Sequence, residues 1–300
     1  MDNKTFCSIC TPTYNRKNLL ENLYRSLLAQ TDNDFEWIVI DDGSEDDTEE
    51  YMQKILKENN KFEIRYYKQK NGGKHRAVNK GIEIAKGQVF AIVDSDDVLT
   101  ENAVEKIKKG FFEIKEVNKK FAGVAFQRGK NQEMAIGNTF KGEYIDAPST
   151  ERTKLKIEGD KFEVFYTKIL KENKFPEIEN EKFMTEAILW TRIANQGYII
   201  RWYNDIIYLC EYLDGGLTDS RERLIKECPK GYALYIKEQV KYGKITLKQK
   251  LGYYSFYYKI RKESGISIKE VAKELDTNVL IIRQATFIRN IIEKYILDRK

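Results

Sequence analysis

The sequence predicts an α/β fold with a mostly parallel sheet, followed by a helical C-terminal region. Over the first 130 residues, short runs rich in β-formers alternate with segments that carry apolar residues at helical spacing. Polar segments follow four of these runs, and from about residue 220 the pattern is helical and lysine-rich. Alternation at this spacing is typical of right-handed βαβ units, whose parallel strands are covered by helices on both faces.

The individual elements follow from the same periodicity. Five strands are expected at 6–11, 35–40, 62–67, 89–93 and 121–126, with helices between them. Farther on, the pattern predicts a loop in "KGEYIDAPSTERTK", and a strand or a helix in "DKFEVFYTKILKENKFPE". A helix in "EKFMTEAILWTRIANQG", ended by Gly197, and strands in "YIIRWYNDIIYLCEYL" are predicted next.

The composition indicates a soluble globular protein. Of the 300 residues, 41% are apolar and 33% are charged, which argues against a disordered chain. No apolar stretch approaches the roughly 20 residues needed to span a bilayer, and the first residues lack the pattern of a signal peptide. The four cysteines, Cys7, Cys10, Cys210 and Cys228, are too few for a disulfide framework, so we expect reduced thiols and a cytoplasmic location.

The basic excess of the chain belongs to its C-terminal part. Residues 219–300 contain 19 Lys and Arg against 10 Asp and Glu, within a net charge of +5 for the whole chain. Three interpretations stay open: a helical bundle with its own core, a peripheral surface for the inner face of the cell membrane, or packing against a second subunit in a homo-oligomer. "SGISIKEVAKELDTNVLIIRQATFI" resembles a helix-turn-helix, but few of its side chains would read bases, which disfavours nucleic acid as a partner.

Four polar segments are expected to meet at one edge of the predicted sheet. They are "TPTYNR", "DDGSEDD", "NGGKH" and "DSDD", which follow the first four strands in order. In an open parallel sheet, ligands bind at the carboxyl ends of the strands. The convergence of four such segments indicates a binding site more strongly than any one of them.

The aspartates of "DSDD" raise the question of how their charge is balanced. Residues i and i+2 of an extended segment point the same way, so Asp94 and Asp96 would share a face. Such carboxylates are solvated, neutralised by basic side chains, or bound to a cation. Oxygen ligands suit Mg²⁺ or Mn²⁺, but the spacing alone does not separate a metal site from a solvated acidic loop.

Taken together, "PTYNR", "DDGS", "NGGKHRAVNKGIEIAKG" and "VDSDD" resemble the nucleotide-sugar-binding half of family-2 glycosyltransferases with the GT-A fold. The resemblance covers roughly residues 5–115 and extends less sharply to about 218. It implies a GT-A domain at 1–218, with a nucleotide half at about 1–115 and an acceptor half at about 116–218. Residues 219–300 would then form a basic helical C-terminal region.

The resemblance also implies roles for single residues. The loop after the first strand and the aspartate after the second would hold the nucleotide, Asp94 would face the ribose or the metal, and Asp96 would bind Mn²⁺ or Mg²⁺ at the diphosphate. Asp97 receives no role. The implied nucleotide-binding set is Thr11, Pro12, Thr13, Tyr14, Asp41, Gly43, Ser44, Lys74, Asp94 and Ser95.

A general base is expected outside the nucleotide half. Glu186 in "MTEAILWTR" has Leu189 three residues later and Arg192 six later, as the family's catalytic acid does. It departs from the family in having Thr185 before it and Glu instead of Asp; Glu181 and Glu179 are the alternatives. In relatives the segment corresponding to 210–218 closes over the diphosphate, where Glu211, Tyr212 or Thr218 would serve here.

The implied activity is metal-dependent, inverting transfer of a sugar from a nucleotide donor, with UDP-sugar favoured, to a saccharide, lipid-linked or protein acceptor. The enzymatic alternative is a sugar-phosphate nucleotidyltransferase, although "TPTYNR" lacks the glycine-rich loop of those enzymes. The other alternative is a non-catalytic carbohydrate- or nucleic-acid-binding protein on this scaffold. Family analogy alone points to synthesis of bacterial cell-surface polysaccharide or glycoconjugate.

Overall fold

The computed structural model describes residues 5–210 and 221–297, within which nine strands form one sheet. The described chain divides into two compact units. The first contains 5–175 and 193–210, and the second contains 176–192 and 221–297. The segment 176–192 thus groups with the C-terminal helices, and the domain limits implied by the resemblance stay a prediction.

Four parallel strands form the N-terminal half of the sheet in the order β3-β2-β1-β4. Helices α1, α2 and α3 connect them, and the bounds of these strands confirm the predicted ones to within two residues. Every residue of β1 and β2 is buried, as expected for parallel strands covered on both faces. The elements are β1 (Cys7–Thr13), α1 (Lys17–Leu28), β2 (Phe35–Asp41), α2 (Thr48–Ile55), β3 (Glu63–Lys68), α3 (Lys74–Ile84) and β4 (Val89–Ile92).

The sheet continues beyond β4 in the order β8-β6-β9-β5, with β7 paired to β9. Strand β8 runs antiparallel to β4 and β6, whereas β6 and β9 are parallel. The elements are β5 (Val98–Leu99), α4 (Ala103–Lys115), β6 (Phe121–Gly129), β7 (Tyr144–Ala147), a 3₁₀ turn (Ser149–Glu151), β8 (Lys161–Tyr166), α5 (Thr167–Glu172) and β9 (Ile199–Leu209). The predicted fold class, a GT-A-like sheet flanked by helices with a helical C-terminal region, is confirmed.

Three local predictions need correction. The segment around Tyr144–Ala147 was expected to be a loop, but it pairs with β9, where Asp146 forms an ion pair of 2.8 Å with Arg201. The ambiguous segment from residue 160 holds both a strand and a helix, β8 and α5. The helix expected from residue 181 begins only at Ala187.

The second unit is helical. Aromatic and aliphatic side chains from five helices form its own core, among them Tyr232, Ile236, Tyr254, Tyr257, Ile260 and Ile282. The five helices are α7 (Arg221–Glu227), α8 (Pro229–Tyr242), α9 (Leu247–Glu263), α10 (Ile268–Glu274) and α11 (Val279–Leu297). A further helix, α6 (Ala187–Asn195), belongs to this unit up to Arg192. Among the described residues, no helix combines the length and apolar character needed to cross a membrane.

Candidate functional site

Side-chain contacts connect the four polar segments at the carboxyl edge of the sheet. The backbone N–H of Asn15, after β1, donates to Ser44 Oγ in the loop after β2 (2.9 Å). Lys74, at the start of α3, lies 2.6 Å from an Asp94 carboxylate oxygen in the turn after β4. Arg16, just before α1, lies 2.6 Å from an Asp96 oxygen. The structure therefore brings together the segments that the sequence predicted to meet.

Asp42 holds the loops after β2 and β3 together. One carboxylate oxygen accepts the N–H of Gly72 at 2.9 Å, and the other accepts the N–H of Gly73 at 2.6 Å. Gly43 has a φ of +88°, and a Cβ there would lie 2.9 Å from the Asn71 nitrogen. A side chain at position 43 would therefore clash with the neighbouring loop, which explains the glycine. The position of Gly43 at the nucleotide, implied by the resemblance, stays a prediction.

Asp41 is buried, and both of its carboxylate oxygens accept hydrogen bonds inside the site. Ser44 donates its backbone N–H at 2.7 Å, and the hydroxyl of Tyr66 donates at 2.6 Å. Burial, together with the bond to Asp41, raises the pKa of Tyr66 well above its usual value, so the phenol stays a donor. These contacts fix the loop, while a nucleotide contact by Asp41 stays a prediction.

The residues of "TPTY" have different surroundings. Thr11 is in the core, where its hydroxyl accepts a hydrogen bond of 3.0 Å from the indole N–H of Trp37. Thr13 is 3% exposed, and its hydroxyl has no hydrogen-bond partner within the part of the chain that the structure describes. Tyr14 is 44% exposed. Thr13 is better placed than Thr11 to meet a ligand, because a buried hydroxyl without a hydrogen-bond partner favours a ligand that supplies one. Tyr14 is better placed than Thr11 because its side chain is exposed. Pro12 and Ser95 are buried.

Basic side chains neutralise the aspartates after β4. In addition to Lys74 on Asp94 and Arg16 on Asp96, the Arg128 guanidinium lies 3.8 Å from Asp94 and 3.9 Å from Asp97. Burial opposes ionisation of Asp94, but Lys74, Arg128 and Arg16 outweigh it and hold its pKa below the usual value. Asp94 is therefore a carboxylate at neutral pH. Of the three ways to balance the charge of these aspartates, the structure shows neutralisation by basic side chains.

Asp97 is the buried aspartate of this turn, and it contacts Tyr208 of β9. The Tyr208 hydroxyl donates to an Asp97 oxygen at 2.6 Å and accepts the backbone N–H of Asp94 at 3.0 Å. Burial, together with the charges of Asp94 and Asp96, raises the pKa of Asp97 to about 7, although the hydrogen bond from Tyr208 and the charge of Arg128 act in the opposite direction. Sequence reasoning missed Tyr208 and Arg128; they lie in buried strands that carry no loop signal.

The oxygen chemistry of this turn fits a divalent cation. Asp94 and Asp96 supply carboxylate oxygens, which are the ligands that Mg²⁺ and Mn²⁺ prefer. The described residues hold no group of three or more acidic, His or Cys side chains arranged around one point. A metal here would therefore need phosphate oxygens of a second molecule, as Mg²⁺ sites built on one or two carboxylates do. It would also have to replace Arg16 or Lys74 on these carboxylates.

Glu186 belongs to the second unit, and the aspartate turn belongs to the first. Glu186 is half-buried, and its backbone carbonyl accepts the N–H groups of Leu189 and Trp190 at 3.0 and 3.3 Å. Glu186 therefore lies just before the first turn of α6. The catalytic role of Glu186 stays a prediction.

The residues around Glu186 are engaged within the second unit. Arg192 donates twice to Glu238 of α8, at 2.9 Å from Nε and 2.5 Å from Nη2. The buried Glu181 accepts the N–H groups of Lys230 and Gly231, which caps the start of α8. This capping engages both carboxylate oxygens of Glu181 and leaves it a poor base. Glu179 is exposed, and Glu211, Tyr212 and Thr218 lie outside the described residues.

Comparison with known proteins identifies a family. The model of glycosyl transferase family 2 matches residues 8–171, more than half of the chain. GalNAc(5)-diNAcBac-PP-undecaprenol beta-1,3-glucosyltransferase of Campylobacter jejuni is 29% identical over 196 residues, which are 63% of this chain and 60% of the relative. Glycosyltransferase GlyG of Streptococcus pneumoniae is 32% identical over 133 residues, 44% of this chain and 42% of that protein. The chain thus matches less than two thirds of the length of these relatives.

Solved structures show the same fold. S. aureus TarS 1–349 in complex with UDP-GlcNAc has a TM-score of 0.60 and 17% identity, covering 95% of this chain and 91% of that one. The mannosyltransferase PcManGT from Pyrobaculum calidifontis, in complex with GDP-Man and Mn²⁺, has a TM-score of 0.55 and 15% identity, covering 93% and 73%. At these identities the likeness concerns the fold alone.

Proposed function

Because the chain belongs to glycosyl transferase family 2, we propose that it transfers a sugar from a UDP-sugar to an acceptor hydroxyl with inversion at the anomeric carbon. The observation that carries the proposal is the joining of four loop segments around Asp94 and Asp96 at one sheet edge. The UDP-GlcNAc complex of the TarS neighbour supports a uridine donor. The match to the model of glycosyl transferase family 2 disfavours the enzymatic alternative.

Different residues of the site would bind different parts of the donor and the acceptor. Thr13 and Tyr14 would meet the nucleotide, and Lys74 and Arg16 would attract the diphosphate by their charge. Asp94 and Asp96 would hold Mn²⁺ or Mg²⁺, which when bound supplies Lewis-acid stabilisation of the leaving diphosphate. Glu186 would remove the proton from the acceptor hydroxyl on the face of the sugar opposite the leaving group. A single displacement of this kind inverts the anomeric centre.

A thermal-shift measurement tests the donor class. UDP with Mn²⁺ should raise the unfolding midpoint by about 5–10 °C at one hundred times its Kd, since binding of that strength stabilises by about 2.7 kcal/mol. UDP with EDTA and Mn²⁺ alone are the controls, and both should give much smaller shifts. If GDP and ADP with Mn²⁺ give the same shift as UDP, the uridine preference is wrong. If no nucleoside diphosphate gives a shift, the proposed function is wrong.

The acceptor class is proposed from the second unit and from a relative. The Campylobacter relative is named for a polyprenol-linked substrate. On α11, four large apolar side chains are exposed at positions that share one helical face, Leu280, Phe287, Ile288 and Ile291. Arg283 is exposed among them, and no acidic residue occurs between 277 and 292. We assign this face, the α11 ridge, to an anionic lipid surface that carries a lipid-linked saccharide acceptor for cell-surface polysaccharide.

Vesicle sedimentation tests the α11 ridge. The wild-type protein should bind vesicles containing phosphatidylglycerol and not vesicles of phosphatidylcholine alone, because Arg283 and its basic surroundings attract anionic headgroups. Phe287→Ser should weaken binding several-fold through loss of buried apolar area. Phe112→Ser is the matched control, since Phe112 is 67% exposed and Phe287 is 66% exposed. Equal vesicle binding by Phe287→Ser and Phe112→Ser would contradict the assignment of the α11 ridge to a lipid surface. If the protein is a dimer and Phe287→Ser disrupts it, the α11 ridge binds a second subunit instead.

A further inference from the structure

The turn with Asp94, Asp96 and Asp97 crosses the edge of the sheet between strands that are not neighbours. It leaves β4 and enters β5, which pairs with β9 through Val98–Leu209 and Leu99–Tyr208. In the sheet order, β8 and β6 lie between β4 and β9. Since β5 lies beyond β9, three strands separate the two strands that the turn joins, and the shape of the turn depends on side-chain and local backbone contacts rather than on ladder hydrogen bonds.

Tyr208 supplies the central contact. Its hydroxyl accepts the Asp94 backbone N–H and donates to the Asp97 carboxylate, so that one oxygen connects the first and last aspartate of the turn. A backbone hydrogen bond of 3.2 Å from the Asp97 N–H to the Asp94 carbonyl closes the same turn. The side-chain directions of Asp94 and Asp96 follow from this backbone shape.

The ring of Tyr208 is itself held in place. It is fully buried, packs against Phe162 with a centroid distance of 4.9 Å, and lies under the Arg128 guanidinium at 4.3 Å. Arg128 is oriented by a hydrogen bond of 3.0 Å from its Nε to the Lys161 carbonyl. The hydroxyl is thus presented to the turn from a rigid position in β9.

We propose that Tyr208 is a positioning residue that holds the Asp94–Asp97 turn in the shape required for binding the donor diphosphate. The proposal rests on the proposed function, because the turn is taken as the donor's diphosphate seat. Tyr208 acts through the backbone of Asp94 and the carboxylate of Asp97, and it has no contact with the donor in this role. It also gives Asp97 a function, since Asp97 is the acceptor that orients the hydroxyl.

The test compares Tyr208→Phe with Tyr203→Phe. Tyr203 lies in the same strand, is also a buried residue, and its hydroxyl donates to Glu113 at 2.7 Å, so each change removes one hydrogen-bonded hydroxyl from β9. Without any ligand, amide hydrogen exchange at residues 94–98 should become faster in Tyr208→Phe and stay unchanged in Tyr203→Phe. UDP binding with Mn²⁺, measured by calorimetry, should become about tenfold weaker in Tyr208→Phe alone, the factor typical of one buried hydrogen bond.

A second pair of variants guards against a merely structural effect. Asp97→Asn keeps an oxygen that accepts from Tyr208 and should retain more UDP affinity than Asp97→Ala. If Tyr208→Phe and Tyr203→Phe lose UDP affinity equally, or if exchange at 94–98 does not change, the positioning role is wrong. If the wild-type protein binds no nucleoside diphosphate, the proposed function fails, and the exchange comparison still decides whether Tyr208 holds the turn.

Discussion

Glu186→Gln is expected to lower the rate of sugar transfer by a factor of about 10² to 10⁴ while leaving UDP affinity unchanged. A general base in position contributes about this much, and an amide cannot accept the proton of the acceptor hydroxyl. The change keeps size and shape, and Glu186 is half-buried just before α6, where its backbone carbonyl accepts the first helical bonds. Steady-state transfer and UDP calorimetry on the same preparation measure the two quantities.

Two neighbours of Glu186 provide the controls. Glu179→Gln changes an exposed carboxylate in the same segment and should leave transfer unchanged. Glu181→Gln should lower thermal stability, because Glu181 accepts two backbone N–H groups at the start of α8. Full transfer by Glu186→Gln would show that another acid is the base, and loss of transfer in Glu179→Gln would identify that acid.

Asp96→Ala is expected to lower transfer by a factor of about 10³ or more and to remove the Mn²⁺ dependence of UDP binding. The expected change in folding stability is small, because the ion pair of Asp96 with Arg16 lies at the surface and such pairs contribute about 0–1 kcal/mol. Asp96 is a sharper test than Asp94, because Asp94 pairs with two basic side chains, Lys74 and Arg128, and Asp96 pairs with Arg16.

The matched control for Asp96→Ala is Asp205→Ala. Asp205 forms an ion pair of 2.5 Å with Lys106 at the surface, in a part of β9 outside the four loops. Its removal should change neither transfer nor the Mn²⁺ dependence. Unchanged Mn²⁺-dependent UDP binding by Asp96→Ala would rule out Asp96 as a metal ligand.

The parallel half of the sheet was predictable because its strands are short apolar runs separated by helices. Once β1, β2, β3 and β4 are parallel, topology alone brings their loops to one edge. Periodicity does not encode pairing partners, so the strand at Tyr144–Ala147 was missed: it is held by its ladder with β9 and by the Asp146–Arg201 pair. The capping of α8 by Glu181, about 50 residues away in the chain, was missed for a similar reason.

The candidate site shows the same difference between local motifs, which the sequence reveals, and contacts between distant segments, which it does not. Asp94 and Asp96 were predictable from a local motif, and their partner Lys74 lies in another local motif. Arg128 and Tyr208 lie in strands whose sequence indicates only burial, and Tyr208 contacts Asp97 across 111 residues of chain. A polar atom in a buried strand needs a partner, but the sequence does not say which one.

The ion pairs Lys74–Asp94 and Arg16–Asp96 balance the carboxylates of the turn with charges that belong to the protein itself. Under the proposed function, Lys74 and Arg16 would exchange these carboxylates for the diphosphate of the donor, and Asp94 and Asp96 would then be available to hold Mn²⁺ or Mg²⁺. When the nucleotide leaves, the same ion pairs would form again, so that the carboxylates would keep a counterion throughout. The protein would therefore compete with the donor for the charges of its own site, which would lower its affinity for the nucleotide.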